Sequence, residues 1–287
     1  EKYQIISKAK TDHPFLSVSQ LCKTAQIKRS SFYKWSSNLK SSVDLDEELI
    51  EEVFRSKKAK VGARRIRMYL MREYGVIFNL KKIRRIMKKR GLNVLIRKRR
   101  PQFYFLKDMR HRVLPNRLKQ NFKIHSPDRV YSTDITYLNY SSGERAYLSA
   151  VKDLGTKEIV HHSISRHIDL SLVVKGLSDY LSQISELKRR KMIMHSDQGA
   201  HYTSHVYRRL LKKNKIKQSM SRRGNCLDNA PIESFFGHFK DESEYKNCKT
   251  FEELKNEVDK YIKYYNNERP QWGLNGKTPV EYRGLIN

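Results

Sequence analysis

The sequence predicts an α/β fold in which small helical modules precede a domain built on a mixed sheet. Over residues 15–38 and 44–93, apolar side chains recur every three to four residues, as they do in amphipathic helices. From residue 129 onward, short alternating runs typical of strands take over, and helical runs then alternate with strands. A chain of 287 residues is long enough for two or three such domains.

The charge of the chain predicts a polyanionic partner. The net charge is +30, and residues 1–128 hold 33 Lys and Arg against 11 Asp and Glu. A small soluble domain typically carries a net charge of roughly 2–8. We therefore expect nucleic-acid binding, with solubility alone as the alternative.

The remaining composition argues against several other classes of protein. The three cysteines are widely spaced and form no C-x-x-C pair, which argues against a structural zinc site and favours a reducing compartment. No apolar run approaches the ~20 residues that span a membrane, and no signal-peptide core is recognisable. Because the chain begins with Glu1 instead of Met, we expect it to be a piece of a longer product.

Residues 1–40 are predicted to form a helix-turn-helix DNA-binding module. Ser17 would cap a helix over Val18–Thr24, and a turn would lead into a second helix over residues 29–35. The expected core residues are Leu21, Ile27, Phe32 and Trp35. The residues expected to face DNA are Lys28, Arg29, Ser30, Ser31 and Lys34. A plain helical hairpin is the alternative interpretation.

Residues 41–95 are predicted to form a second helical DNA-binding module. Its helices are expected over residues 44–54, 63–74 and 80–90. Acidic residues would lie on the outer face of the first helix, while Asn79 and Gly91 would cap the third. Cations around the third helix repel one another unless phosphates lie nearby; a solvated cationic face is the alternative. The candidate DNA contacts are Lys81, Lys82, Arg84, Arg85, Lys88 and Lys89.

Residues 96–128 are predicted to form a basic linker, because their charge and proline content argue against a packed core. A cationic run opens the linker, and we expect this run to follow a DNA backbone. It consists of Arg97, Lys98, Arg99 and Arg100.

The order of elements predicts the topology of residues 129–245. Strands are expected over residues 131–138, 145–154, 158–165, 191–195 and 216–220. Helices are expected over residues 170–184, 203–213 and 231–240. The order β-β-β-α-β-α-β-α, opened by an antiparallel meander, is that of an RNase H-like mixed sheet. Residues 246–287 would add a helix over residues 251–266 and a tail that packs back through Trp272, Leu274, Pro279 and Tyr282.

Three acidic residues fall at points where this topology would bring them together. Asp134 lies in the first predicted strand, Asp197 directly after the fourth, and Glu233 in the last helix of the domain. A carboxylate near a core is costly unless it is compensated, and carboxylate oxygens are ligands for hard divalent cations. Two Mg²⁺ ions bridged by carboxylates can activate the attacking oxygen and stabilise the leaving oxygen of a phosphoryl transfer. We therefore predict a nuclease and strand-transfer site.

Two other acids compete with Glu233 for the third position in this site. Asp228 lies in a predicted loop and Glu242 lies beyond the aromatic stripe of the last helix, so we favour Glu233. Lys240 follows seven residues after Glu233 and returns to about the same helix face. A cation at that position would hold a phosphate beside the metal site.

Histidines and phosphate loops are predicted to play no direct part in this chemistry. His195 is expected to be structural or to support the acids, and His161 and His162 are expected not to bind metal. No glycine-rich loop of the Walker type is present, which argues against NTP hydrolysis.

Short segments along most of the chain carry a resemblance to a known family. In the N-terminal part they are residues 18–22 (VSQLC), 33–35 (YKW), 62–66 (GARRI) and 85–92 (RIMKKRGL). In the C-terminal part they are residues 132–137 (STDITY), 195–199 (HSDQG), 228–236 (DNAPIESFF), 265–270 (YNNERP) and 278–279 (TP). Asp197 and Glu233 are separated by 35 residues, and Lys240 follows. With these features the chain resembles the IS-three family of bacterial insertion-sequence transposases, whose catalytic domain is similar to retroviral integrase.

The resemblance implies a DDE triad of Asp134, Asp197 and Glu233 that holds two Mg²⁺ ions, for which Mn²⁺ substitutes. It implies an enzyme that binds terminal inverted repeats, nicks one strand, joins it to the other end and integrates a circular intermediate into target DNA. Because two DNA ends must be paired, we expect a homodimer or higher oligomer on DNA. No membrane association is expected, and the implied location is the bacterial cytoplasm, with the nucleoid. The family commonly has Trp where Tyr131 stands.

Two other functions are compatible with parts of the sequence. One is a DNA-binding regulator with a degenerate nuclease domain, and the intact set of three acids argues against it. The other is an RNase H-type hydrolase of RNA–DNA hybrids, and the two predicted N-terminal DNA-binding modules argue against that one.

Overall fold

The computed structural model describes residues 2–13, 15–39, 42–95, 114–122, 124, 126–141, 143–222 and 226–286. The chain divides into two units, Glu1–Leu95 and Ile96–Asn287. The predicted cationic run at residues 97–100 lies outside the described residues. Within the described ranges, no helix combines the length and apolar character needed to cross a membrane.

The first unit is all-α. Its helices are α1 (Lys2–Asp12), α2 (Val18–Thr24), α3 (Arg29–Leu39), α4 (Ser42–Ser56), α5 (Ala63–Tyr74) and α6 (Leu80–Lys89). The sequence analysis does not predict α1. Ile6 is the one buried side chain that the structure describes along this helix, so α1 has almost no apolar periodicity to recognise. The turn between α2 and α3 agrees with the helix-turn-helix prediction.

Helix α2 begins with a reciprocal cap. The Ser17 hydroxyl accepts a hydrogen bond from the Gln20 backbone N–H at 3.1 Å, and the Gln20 side chain accepts one from Ser17 N–H at 3.0 Å. Two of the N–H groups that a helix start leaves unpaired are satisfied in this way. Phe32 is buried, and Leu21 and Trp35 are among the partly buried residues packed with it, as expected for this core.

Helices α4, α5 and α6 share one apolar core. Its fully enclosed side chains include Ile50, Val53, Ile66, Leu70 and Ile83. Gly75 ends α5 with φ 67°, and Gly91 follows α6 with φ 64°. Both glycines adopt the left-handed conformation that favours glycine after a helix, and Gly91 was predicted in this role.

The acidic face of α4 differs in part from the prediction, because Glu48 and Glu52 are exposed as expected but two other acids are not. Asp46 and Glu47 do not point away from the unit but pair with cations around α6, and Glu47 is 2% exposed. The Glu47 carboxylate accepts hydrogen bonds from Lys89 Nζ at 2.6 Å and Arg90 Nε at 2.9 Å, and Asp46 pairs with Lys82. The hydrogen bond from Lys89 is the main cause that lowers the pKa of Glu47. Internal ion pairs therefore neutralise part of the charge around α6, whereas the sequence interpretation considers only phosphates or solvent around these cations.

The second unit is α/β. Its strands are β1 (Val130–Tyr140), β2 (Glu144–Asp153), β3 (Ile159–Ser165), β4 (Ile193–Ser196) and β5 (Lys217–Met220). Its helices are α7 (Leu170–Ser182), α8 (Glu186–Arg189), α9 (Ala200–Thr203), α10 (His205–Lys213), α11 (Ala230–Glu242), α12 (Phe251–Asn267) and α13 (Pro279–Ile286). The helix predicted over residues 203–213 is divided, because Ser204 ends α9 and caps α10.

The sheet has the order β3-β2-β1-β4-β5. Strands β1, β2 and β3 form an antiparallel meander, while β4 runs parallel to β1 and β5 parallel to β4. This is the RNase H-like mixed sheet that the sequence predicted. The parallel pairing of β1 with β4 involves only residues 130–132 of β1, so the rest of β1 extends beyond β4.

Helices cover both faces of the sheet. Phe235 and Phe239 of α11 share a core with Leu138, Leu148 and α12. On the opposite face, α7 and α10 pack on residues that include Tyr131, Val151 and Met194. Side chains alternate between the two faces along a strand. Asp134 therefore lies on the same face as Leu138, which is the face covered by α11.

The end of the predicted linker packs against the sheet unit. Arg117 N–H donates a hydrogen bond to the Ser219 hydroxyl at 2.9 Å, and Leu118 is buried with Val130 and Leu154. Residues 114–122 are thus part of this unit's surface, in contrast to the expectation that residues 96–128 form no packed structure.

The C-terminal tail packs on the sheet unit in part as predicted. Leu274 and Pro279 are buried, but Trp272 is 46% exposed. The short 3₁₀ helix Trp272–Leu274 turns Leu274 inward, and its first residue remains at the surface. Arg283 of α13 contacts three carboxylates, those of Asp128 at 2.8 Å, Asp153 at 3.0 Å and Glu158 at 2.5 Å.

Candidate active site

Asp134 lies on β1 just beyond the residues that pair with β4. Its register partner on the other side is Ala150 of β2. The Asp134 carboxylate accepts a hydrogen bond from Ile135 N–H at 2.8 Å and remains partly exposed. The end of the short parallel pairing therefore leaves a carboxylate at an opening in the sheet edge.

Asp197 is the first residue after β4, which neighbours β1. Its Oδ1 atom accepts a hydrogen bond from Gly199 N–H at 2.9 Å. A Cβ atom at position 199 would lie 2.9 Å from the same Oδ1, so glycine allows the turn to close around the carboxylate. This local geometry orients Asp197 at the end of the strand.

Glu233 and Lys240 come from α11, which covers the Asp134 face of the sheet. Phe235, Phe236 and Phe239 bury one side of this helix and leave Glu233 exposed. Lys240 Nζ donates a hydrogen bond to Thr136 Oγ1 at 2.5 Å, which fixes the cation two residues along β1 from Asp134. The helix therefore carries both a third carboxylate and a cation to this part of β1.

The electrostatics of Asp134 report the proximity of these groups. Burial raises the pKa of Asp134 well above its usual range, and the charges of Asp197 and Glu233 raise it further. Lys240 acts in the opposite direction on the same carboxyl. Burial also raises the pKa of Asp197. The charges of Asp197, Glu233 and Lys240 thus all act on the Asp134 carboxyl.

The donor set fits a divalent cation. Two neighbouring carboxylates with raised pKa values are stabilised by a bound cation, and hard cations such as Mg²⁺ and Mn²⁺ prefer oxygen ligands. Asp134 and Asp197 supply this pair, with Glu233 alongside. Among the described residues, no three His, Cys, Asp or Glu side chains are gathered closely enough to surround an ion. The match to a divalent cation therefore rests on the carboxylate chemistry of the donor atoms, because the described side chains do not surround an ion.

The two rivals of Glu233 are occupied by structural contacts. Asp228 is fully buried and accepts hydrogen bonds from Arg222, Asn116 and Gln120 at 2.8 to 3.1 Å. The hydrogen bond from Arg222 is the main cause that holds the pKa of Asp228 well below its usual range. Glu242 is paired with Arg269 at 2.8 Å. These contacts explain both acids without any role in a metal site.

Two polar residues that the sequence interpretation missed fix the start of α11. Asn229 accepts a hydrogen bond from the Ser132 hydroxyl and donates one to Thr133 O at 3.3 Å. Lys152 of β2 donates to Pro231 O at 3.0 Å. Their contacts tie the beginning of the helix to the strand that carries Asp134. The signal for Asn229 was its place inside the DNAPIESFF segment, whereas Lys152 had none.

The histidines near the sheet have structural contacts. His195 is fully buried, and its two ring nitrogens lie 2.9 Å and 3.1 Å from the Ser219 and Ser221 hydroxyls. His162 pairs with Asp259 at 2.7 Å. Burial lowers the pKa of His161 to about 4. These surroundings favour neutral rings at His195 and His161.

Comparisons with known proteins cover both units. An Integrase core domain family matches residues 124–226, a second Integrase core domain family matches residues 233–285, and an HTH-like domain family matches residues 42–100. The InsK transposase for insertion sequence element IS150 from Escherichia coli (strain K12) is 35% identical over 273 residues, which are 94% of each chain. The InsF transposase for insertion sequence IS3A from the same organism is 30% identical over 247 residues, covering 83% of this chain and 82% of InsF.

The chain belongs to the IS-three family of insertion-sequence transposases. A solved structure that is similar to the transposase is the simian T-cell lymphotropic virus intasome in complex with PP2A regulatory subunit B56 gamma. That similarity has a TM-score of 0.47 and 15% identity, and it covers 75% of this chain and 70% of the matched chain.

The predicted DNA contacts of the transposase are distributed over α3 and α6. Lys28, Arg29 and Lys34 are exposed around α3, and Ser31 is half-buried. On α6, Lys81, Arg84, Arg85 and Lys88 are exposed. Lys82 and Lys89 are instead held in ion pairs with α4. The HTH-like match covers α4 to α6, so the second helical module is the one that the family comparison identifies.

Proposed function

We propose that the transposase binds the terminal inverted repeats of an insertion sequence and cleaves and joins DNA strands there by metal-dependent phosphoryl transfer. The proposal assigns this chemistry to Asp134, Asp197 and Glu233. It is supported by the placement of Asp134 on β1, of Asp197 directly after the neighbouring β4 and of Glu233 on α11 over the same face. The charges of Asp197 and Glu233 both raise the pKa of Asp134. Membership of the transposase family supports the reaction class.

The three carboxylates would hold divalent metal ions, because hard cations prefer oxygen ligands. Two such ions activate the attacking oxygen and stabilise the leaving oxygen of an in-line phosphoryl transfer when they are bound. Gly199 N–H orients the Asp197 carboxylate. Lys240, held at Thr136, provides a cation for a phosphate next to the acids. Mg²⁺ is the expected ion, and Mn²⁺ is expected to replace it.

The two helical modules would bring the DNA ends to this site. Exposed cations on α3 and α6 are suited to phosphate contacts, which supply most of the affinity of non-specific DNA binding. Arg97, Lys98, Arg99 and Arg100, which lie outside the described residues, are also proposed to contact a DNA backbone. Because transposition joins two ends, we also propose that the transposase acts as a homodimer or higher oligomer on DNA.

The decisive experiment measures strand cleavage and joining on DNA that carries the ends of the element, in the presence of Mg²⁺. It compares the wild type with Glu233→Gln and with Glu252→Gln, a matched change at an exposed carboxylate of α12. We expect Glu233→Gln to bind DNA normally and to react roughly 10³-fold more slowly or worse. Glu252→Gln should react like the wild type.

Three outcomes would contradict the proposal. Full activity of Glu233→Gln would show that this carboxylate takes no part in the reaction. A wild type that binds the ends without reacting, or that cleaves only RNA–DNA hybrids, would favour the regulator or the hybrid hydrolase. A hybrid substrate of the same sequence is therefore included in the assay.

A further inference from the structure

Tyr137 is a large aromatic residue at the surface beside the candidate active site. Its side chain is 55% exposed and lies on β1 three residues after Asp134. At about 3.3 Å per strand residue, roughly 10 Å of β1 separates the two positions. That length is comparable to about three nucleotide steps of one B-DNA strand at 3.4 Å each. Alternation along β1 places Tyr137 on the face opposite Asp134, but β1 is not paired with β4 beyond residue 132. Lys240 reaches both Thr136 and the Tyr137 ring around this unpaired edge. A strand that reacts at Asp134 can therefore reach Tyr137 by crossing the same edge.

Two cations flank the Tyr137 ring. Lys240 Nζ lies 4.8 Å from the ring centroid and Arg145 Cζ lies 5.2 Å from it. Lys240 comes from α11 and Arg145 from β2, so two separate elements converge on one exposed ring. Cations of this kind can turn to a phosphate when one arrives, because an ion pair with a phosphate is stronger than an exposed cation–π contact.

Arg145 is held in place by a neutral partner. Its Nε atom donates a hydrogen bond at 3.1 Å to Oδ1 of Asn139, the residue directly opposite it in the β1–β2 register. The two contacts that the structure shows for the Arg145 guanidinium, with the Asn139 amide and the Tyr137 ring, are both to uncharged groups. The guanidinium is thus oriented by an amide, and its positive charge is left available to an anion.

We infer that Tyr137, Arg145 and Lys240 form a nucleotide-binding subsite for the DNA strand whose phosphate reacts at Asp134. The ring would stack on an unpaired base near the strand end, and the two cations would hold adjacent phosphates. Proteins that bind single strands combine aromatic platforms with cations in this way. The inference rests on the proposed function, since it takes the reacting strand to lie at Asp134.

Base stacking can be measured without the reaction. The probe is a duplex with an unpaired 3′ end that carries the fluorescent base 2-aminopurine near its terminus, and the protein background is Glu233→Gln, which keeps the probe intact. The fluorescence of the bound probe is compared between Tyr137, Tyr137→Phe and Tyr137→Leu. We expect quenching with Tyr and Phe and its loss with Leu, together with a roughly tenfold or greater loss of affinity for the unpaired end. Equal quenching in all three proteins would overturn the subsite.

The cationic part of the subsite is tested with an active enzyme. Arg145→Gln is compared with Arg166→Gln, a matched control in which the guanidinium lies 4.9 Å from the Phe251 ring at another place on the unit. We expect Arg145→Gln to raise the KM for the DNA end about tenfold. The slope of log affinity against log salt concentration should fall by the amount that corresponds to about one phosphate contact. Identical values for the two variants would contradict the role of Arg145.

The two proposals can fail separately. If the wild type neither cleaves nor joins DNA, the proposed function fails, while the fluorescence comparison still reports whether Tyr137 stacks on a base. If the wild type is active and Tyr137→Leu binds and reacts unchanged, the subsite fails and the proposed function stands. Far-UV circular dichroism of each variant shows that a loss of binding does not arise from unfolding.

Discussion

Arg269 and Glu242 form a bidentate ion pair in the interior of the sheet unit. Arg269 Nε donates to Glu242 Oε2 at 2.9 Å and Nη2 donates to Oε1 at 2.8 Å, and the two side chains are 6% and 9% exposed. The Tyr261 hydroxyl donates to the same carboxylate at 3.1 Å. The pair joins the end of α11 to the chain after α12. It therefore holds the helix on which Glu233 and Lys240 are carried.

Replacing Arg269 with Met should destabilise the protein strongly. The variant leaves the Glu242 carboxylate buried without its cation, and breaking a buried pair in this way costs about 3–5 kcal/mol. The free energy of unfolding in urea measures the effect. Arg190→Met is the control, because its partner Glu186 is half exposed and a surface pair contributes little. Equal losses for the two variants would show that the pair at Arg269 does not hold the helix.

Replacing Asn229 with Ala should slow the reaction while DNA binding stays unchanged. The change removes the contacts to Ser132 and Thr133, so the start of α11 loses its link to β1 and Glu233 shifts relative to Asp134. A displacement of about 1 Å can cost roughly 100-fold in rate. Single-turnover cleavage and a binding assay separate the two effects. Asn267→Ala, which alters only an exposed helix residue, should leave both values at the wild-type level.

Replacing Asp134 with Asn should stabilise the metal-free protein at neutral pH. The folded-state pKa of Asp134 lies above the unfolded value of about 3.9. Its contribution to stability is therefore fully present below that value and is lost as the pH rises through the folded-state pKa. Asn has no charge to bury, so we expect its Tm to exceed that of the wild type at neutral pH by a few degrees, which corresponds to about 1 kcal/mol.

Two further conditions make the Asp134 test specific. Below about pH 3.9 the Tm difference should vanish, because the wild-type carboxyl is then protonated in both states. Added Mg²⁺ should raise the Tm of the wild type more than that of Asp134→Asn, since ligand binding to the folded state stabilises it. A wild type that is the more stable protein in the presence of a chelator at neutral pH would refute the prediction.

The cations of α6 should differ in what they contribute: some to DNA binding and others to the stability of the first unit. Raising the salt concentration from roughly 50 to 200 mM should weaken DNA binding by orders of magnitude. The double change Arg84→Ala and Arg85→Ala should lower the slope of this dependence by about two phosphate contacts. Lys89→Met should instead lower the stability of the first unit, because Glu47 loses a partner, and should change the slope little. A larger slope change for Lys89→Met would reverse this division.

The sheet was predictable because its determinants are local. Alternation around Asp134 and the apolar run before Asp197 mark β1 and β4, and the element order then limits the sheet to one topology. Helix α1 was missed because a helix with one described buried side chain, Ile6, leaves almost no periodic signal. The acidic face of α4 was misjudged for another reason. Only the packing of α6 against α4 reveals that Glu47 has cationic partners.

The candidate acids stand out in the sequence by their spacing, but the contacts around them do not. Asn229 reaches β1 across 96 residues of sequence, and Lys152 reaches Pro231 across 79. Such contacts depend on the completed fold, and a polar residue in a loop or strand has many possible partners before folding. The same applies to Tyr137, whose flanking cations come from other elements.

The packing of residues 114–122 on the sheet unit limits where N-terminal modules can be exchanged between related transposases. Asn116 and Gln120 donate hydrogen bonds of 2.9 Å and 2.8 Å to the buried Asp228 carboxylate, five residues before Glu233. A chimera joined at residue 129 would lose both donors and leave that charge undersatisfied. Recombination that joins foreign N-terminal helices to this sheet should therefore be tolerated only when the junction lies before residue 114. Natural hybrids are expected to inherit this short segment together with the sheet.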